Sequence, residues 1–163
     1  MGAIACDRDA GERDSPRASG RVVDEPFADL IVTAGPSPED SRLYALDLLN
    51  LELDRIAPHR VTRIVGRCDG RPIIEAVVGG ARRLMELRGR ALIRSRRTLR
   101  PDRTCRSSRA DRHIPGWVSH EQVPGGERIF LTDGRRVAVA KGDDIEVLGR
   151  TRLPIWSAIW ARR

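Results

Sequence analysis

The sequence predicts an α+β fold: a small sheet with two helices on one face, followed by an Arg-rich linker and a small β-hairpin module. Three observations lead there. Two stretches, 37–57 and 81–100, carry leucines at helical spacing. Two Asp-Gly dipeptides, Asp69-Gly70 and Asp133-Gly134, sit between runs rich in Val and Ile, the mark of tight hairpins. Between the halves lies a stretch dense in Arg and Ser with no apolar period. The expected organisation is a disordered lead-in over 1–26, an α+β domain over 27–100 and a basic linker over 101–115. A small β-rich module over 116–163 follows, ending in a Trp-containing turn.

Each element has its own local cause. Ala28 to about Thr33 is a short apolar strand, broken by Gly35 and Pro36. Ser37 then suits a helix cap, Pro38 the first helical position, and Glu39 and Asp40 the positive end of the dipole. Leu43, Leu46, Asn50, Leu53 and Ile56 recur at helical spacing, with Leu49 broadening the stripe, until Pro58 stops the helix. The Asp69-Gly70 hairpin, counted outward from its turn, pairs Val65 with Ile74 and Val61 with Val78. Pro72 lacks a ladder donor and needs an outward or edge position. After Gly79-Gly80 a second helix is expected from Ala81 to about Arg100, with Leu84, Leu87, Ala91 and Leu99 on one side, ended by Pro101. Gly89 weakens it by about 1 kcal/mol relative to alanine. A second hairpin turns at Asp133-Gly134, a third strand spans Asp144 to Leu148, and Ile155, Trp156, Ile159 and Trp160 pack as one helical turn.

Composition narrows the class of partner. Apolar residues form 40% of the 163 residues and aromatics only 4%, so the core must be built from Leu, Ile and Val. The net charge of +7 favours an anionic partner, nucleic acid or a membrane surface. Every basic residue except Lys141 is arginine, a bias that GC-rich codons also produce. Cys6, Cys68 and Cys105 are odd in number and far apart, which argues against a disulfide framework and for a reducing cytoplasm. No apolar run approaches the roughly 18 residues of a membrane span, and the N-terminus lacks the pattern of a secretory signal.

No catalytic, metal or cofactor site is expected. His59, His113 and His120 have no ligand spacing with the cysteines, and no H-E-x-x-H, G-x-S-x-G, phosphate-loop or dinucleotide pattern occurs. Cys68 flanks a turn without a neighbouring base; Cys105 sits among arginines that lower a thiol pKa, which equally describes an incidental exposed thiol. The stretch from Gly89 to Arg112 is opposed only by Asp102 and Asp111. On the second helix and the linker, Arg82, Arg83, Arg90, Arg94, Arg96, Arg97, Arg100 and Arg103 form an RNA-binding surface that meets phosphates with planar, bidentate geometry. The bland counterpart is a solvated basic face. Aromatic interleaving is absent, which disfavours base stacking and leaves phosphate or shape recognition. Trp156 and Trp160 more readily close a core than stack on bases.

The order of elements resembles the ribosome hibernation-promoting factor family, in particular its long actinobacterial members. "LIVTAG" with "YALDLLNLELDRI" is similar to that family's opening strand and helix. "CDGRPIIEAVVGGARRLMELRGR" resembles its hairpin and second helix, and "PGWVSHEQVPGGERIF" the junction to its C-terminal domain. The family's first domain has four strands; three are visible here. The resemblance implies a non-catalytic ligand of ribosomal RNA. The expected function is therefore a non-enzymatic, cytoplasmic RNA-binding protein, ribosome-associated, acting in translational down-regulation or stress and dormancy. The alternative is a protein-interaction or regulatory module, a small stress protein or antitoxin, with an acidic protein partner.

Overall fold

The computed structural model describes residues 28–95, 105–108, 112–122 and 128–161. Among them every regular element is a strand, so the expected α+β fold with two helices is corrected to an all-β fold of two antiparallel sheets. The expected lead-in and much of the basic linker lie outside the described residues.

β1 (Leu30–Ala34) is the anticipated first strand. Ser37 then makes the hydrogen bond of a helix cap: its hydroxyl accepts from the Asp40 amide at 3.1 Å, and Ser41 Oγ donates to the Ser37 carbonyl at 2.5 Å. The turn so closed leads into β2 (Ser41–Leu46), not a helix. Leu43 and Ala45 face one way, Tyr44 and Leu46 the other, and all four are buried. A strand buried on both faces reads as an unbroken apolar run, which spacing does not separate from a helix. Side chains shape the following turn: Asp47 Oδ1 accepts from the Leu49 amide at 2.8 Å, and Asn50 Oδ1 from the Glu52 amide at 3.1 Å. Leu51, at φ 59°, sits in the left-handed region and rules out a continuing helix there.

β3 (Leu53–Cys68) runs 16 residues straight through Pro58. It turns at Asp69-Gly70, both at positive φ as a type I′ turn requires, into β4 (Arg71–Val78). The expected pairing slips: Ile64 opposes Ile74 and Val61 opposes Ala76, because irregularities at Val65 and Thr62 each insert a residue. The second expected helix is instead β5 (Ala81–Arg88) and β6 (Ala91–Arg94), entered through Gly79-Gly80 and joined at Gly89-Arg90. Here Met85 and Leu87 face inward while Leu84 and Glu86 face the other side, a period of two.

Next come β7 (Cys105–Ser107), β8 (Val118–Gln122), β9 (Arg128–Asp133), β10 (Arg136–Lys141), β11 (Asp144–Arg150) and β12 (Ile155–Trp160). Asp133 opposes Arg136, so the second hairpin turns at Gly134-Arg135, one residue beyond expectation. The expected C-terminal helical turn is strand β12, which pairs with β1. The eight-stranded sheet runs β12-β1-β2-β3-β4-β5-β6 with β7 on β3; the four-stranded sheet runs β11-β10-β9-β8.

The larger sheet curls, so that the Ile64 amide donates to Ser157 Oγ at 2.9 Å and Arg90 reaches Asp54 at 3.0 Å. Inside the curl lie Ile31, Leu43, Val61, Ile64, Ile74 and Ile159. The outer face of β12, β1 and β2 packs on the smaller sheet through Leu30, Val32, Leu46, Phe130, Val137 and Trp160. A buried ion pair spans the two sheets. Arg67, 6% exposed, donates from Nε to Glu121 Oε2 at 2.5 Å and from an Nη to Oε1 at 2.6 Å, and also donates to the carbonyls of Gly70 and Trp160. Glu121 Oε1 in turn accepts the Trp160 amide at 2.9 Å. Such a pair holds only because almost every donor and lone pair is used.

The cysteine expectation is also corrected. Cys68 and Cys105 are opposed across β3 and β7 and form a disulfide, sealed by Ile73 and Leu84. Gly66 makes this approach possible, since a Cβ there would lie 1.9 Å from the Arg106 carbonyl oxygen.

Candidate nucleic-acid interface

Directly opposed residues in an antiparallel ladder project to the same face of a sheet. Arg42 opposes Arg60, Arg60 opposes Val77, and Val77 opposes Arg82. Four consecutive strands thus place three arginines, each about 20 residues from the next in sequence, in one row on the outer face of the curled sheet. With strands about 4.8 Å apart, Arg42 and Arg60 are neighbours and Arg82 stands roughly 10 Å beyond Arg60. Arg63 joins them in the adjacent row, opposite Glu75.

The electrostatics of these rows are partly balanced. Glu75 accepts from Thr62 Oγ1 at 2.5 Å and lies 3.7 Å from Arg63 Nε and 3.9 Å from an Arg82 Nη. Arg42 lies 3.7 Å from Asp40. Arg60 is exposed and has no carboxylate within 4 Å among the described residues. Arg63 and Arg82 keep 62% and 68% of their side chains in solvent. At such exposure an ion pair contributes only about 0–1 kcal/mol, so Glu75 holds these guanidinium groups weakly. No aromatic ring lies in these rows, which suits backbone contact and not base stacking.

The expected binding arginines are dispersed. Arg82 belongs to this row. Arg83 opposes Ala76 and Arg94 opposes Met85, so both project to the other, concave side at its solvent-exposed margin. Arg90 is in the turn, held by Asp54 Oδ2 at 3.0 Å and the Arg55 carbonyl at 3.1 Å. Arg96, Arg97, Arg100 and Arg103 lie outside the described residues. Over residues 81–94 the helix meant to align the arginines is a hairpin, and a hairpin sends alternate residues to opposite faces. Arg42, Arg60 and Arg63 escaped sequence reasoning because only strand register unites them.

Other candidate centres are structural. Among the described residues no group of three His, Cys, Asp or Glu side chains can hold a metal ion. His120 is buried with Nε2 2.7 Å from Thr132 Oγ1 and its ring against Phe130, and burial pushes its pKa down to about 4. Trp160 closes the core between the sheets, and its indole N–H donates to the Glu121 carbonyl at 2.6 Å. Trp156, 41% exposed, donates to the Gly35 carbonyl at 3.0 Å. Among the described residues no helix is long and apolar enough to cross a membrane. No protein family, curated protein or solved structure matches the chain.

Proposed function

We propose that the protein is a non-enzymatic binder of RNA backbone, and that the outer face of the curled sheet holds the phosphates. The observation carrying this is the Arg42–Arg60–Arg82 row with Arg63 beside it and, among the described residues, no carboxylate within 4 Å of Arg60. Guanidinium groups on fixed strands meet successive phosphates through charge-assisted bonds, and the lack of rings leaves recognition to charge and shape. Ribosomal RNA is the structured polyanion that a translational repressor would meet. The element order that suggested the hibernation-factor resemblance is absent, so ribosome association stands on the basic face alone. Cytoplasmic residence loses its cysteine support as well, because disulfides persist mainly in oxidising compartments.

Filter-binding of structured RNA over rising salt tests the proposal. Each phosphate contact contributes about −0.7 to −0.9 to the slope of log K against log salt. Replacing Arg42, Arg60 and Arg63 with glutamine should flatten that slope by about two to three, whereas Arg83→Gln with Arg94→Gln should leave it nearly unchanged. No binding at low salt, or equal loss from both sets, overturns it.

A further inference from the structure

No register shift interrupts the pairing of β4 with β5, so alternate residues keep to one face along both strands. On the outer face β4 presents Arg71, Ile73, Glu75 and Val77. Beside it β5 presents Arg88, Glu86, Leu84 and Arg82, with Val77 opposite Arg82, Glu75 opposite Leu84 and Ile73 opposite Glu86. Arg71 and Arg88 stand two residues beyond the last of these pairs. They make a second line of cations, parallel to the Arg42–Arg60–Arg82 row because both lines run across the strands. From Arg82 to Arg88 the chain advances roughly 20 Å along β5.

On β4 and β5 the strip between the two lines is unsuited to phosphate. Ile73 is fully buried there, and the charged residues of the strip are the carboxylates Glu75 and Glu86. Each carboxylate is flanked by two guanidinium groups. Glu75 has Arg63 and Arg82; Glu86 accepts from Arg88 Nε at 2.6 Å and lies 3.5 Å from an Arg71 Nη. Arg71 and Arg88 still keep 48% and 51% of their side chains in solvent, so Glu86 holds them weakly.

Two parallel lines of cations with a strip of opposite charge between them select the form of the polyanion. A single strand laid from one line to the other carries phosphates over Glu75 and Glu86, where like charge opposes it. A single strand laid along one line leaves the other idle, and the Arg42–Arg60–Arg82 row offers no ring for the stacking that single-strand binders use. A duplex engages both lines, because its two backbones border a groove that holds no phosphate. Duplex RNA is recognised by shape and by phosphate and 2′-hydroxyl contacts across its wide, shallow minor groove.

We propose that the outer face takes double-stranded, A-form RNA across its minor groove, with Arg42, Arg60 and Arg82 on one backbone and Arg71 and Arg88 on the other. The proposal rests on the RNA-binding reading and adds to it a substrate class and a second line of contacts.

Filter-binding with the full chain compares an RNA duplex of about 16 base pairs with an unstructured single strand of the same length. The duplex should bind at least about tenfold more tightly at equal salt. Arg71→Gln with Arg88→Gln should flatten the duplex salt slope by roughly 1.4–1.8 and leave the single-strand slope unchanged. Arg71→Lys with Arg88→Lys, which keeps the charge, should retain the duplex slope. Hydroxyl-radical footprinting of the duplex with the unaltered protein needs no variant and should show protection of both strands across one groove. Equal affinity for the two RNAs, an unchanged duplex slope in the glutamine pair, or protection of one strand alone overturns the duplex assignment and leaves the RNA-binding reading in place. No binding of either RNA at low salt overturns both.

Discussion

Breaking the Cys68–Cys105 disulfide should lower stability by an amount set by the loop it closes. The bond joins residues 37 apart in sequence, and that loop contains all of β4, β5 and β6. In the chain-entropy account, closing a loop of this length removes about 13 cal/mol/K from the unfolded chain, or about 4 kcal/mol at 25 °C. For a chain of 163 residues, with about 3 °C of melting temperature per kcal/mol, the expected fall is roughly 12 °C. Thermal melts followed by circular dichroism, with and without reductant, measure this directly. The double variant Cys68→Ala and Cys105→Ala should melt within a few degrees of the reduced protein, because Ile73 and Leu84 still pack there. Thiol titration of the unreduced, denatured chain supplies an independent check: of the three cysteines only Cys6 should react. Three reactive thiols, or a melting temperature indifferent to reductant, would refute the reasoning.

Two further outcomes follow from groups buried at the junction of the sheets. His120 has its pKa lowered to about 4 in the folded chain against 6.5 when unfolded, so between those values the unfolded state binds the extra proton. Its contribution is full above pH 6.5 and fades as pH falls toward 4, a loss of roughly 3 kcal/mol. Urea midpoints across that range should drop in the parent and drop less in His120→Gln; identical profiles would discard the assignment. Arg67→Met leaves the Glu121 carboxylate without its guanidinium partner and should cost about 3–5 kcal/mol in urea unfolding. Adding Glu121→Gln, which retains an acceptor for the Trp160 amide, should restore part of that loss, and a second substitution that deepens it would contradict the pairing.

Turn chemistry was the legible part of this sequence, and helix periodicity misled. Asp69-Gly70 announces its hairpin, and both residues adopt the positive φ that the dipeptide tolerates. Gly79-Gly80, Gly89, Gly134 and Gly142 punctuate the chain in the same way, each at positive φ between short strands, and their recurrence marks a meander. Leu43, Leu46 and Leu53 also satisfy a helical template. Leu43 and Leu46 belong to β2, whose two faces are both covered, one by the interior of the curl and one by the smaller sheet, and Leu53 to the buried start of β3. Strand preference in such a setting is decided by packing against neighbours that a single stretch of sequence does not contain. The disulfide was illegible for a related reason. Cys68 and Cys105 meet because Gly66 lets β7 close on β3, a tertiary event with no spacing signature.

The same logic explains why a charge count alone does not give the layout of the basic surface. On a helix Arg82, Arg83, Arg90 and Arg94 would spread over the solvent side; on β5 and β6 Arg82 takes one face, Arg83 and Arg94 the other, and Arg90 is taken up by Asp54. What strand pairing creates instead is a two-dimensional array, with Arg42, Arg60 and Arg82 across the strands and Arg63 in the next row. Its spacing is set by the ladder and not by side-chain choice. Local charge over about one Debye length, and not the total of +7, therefore sets what each face of the molecule presents to a charged partner.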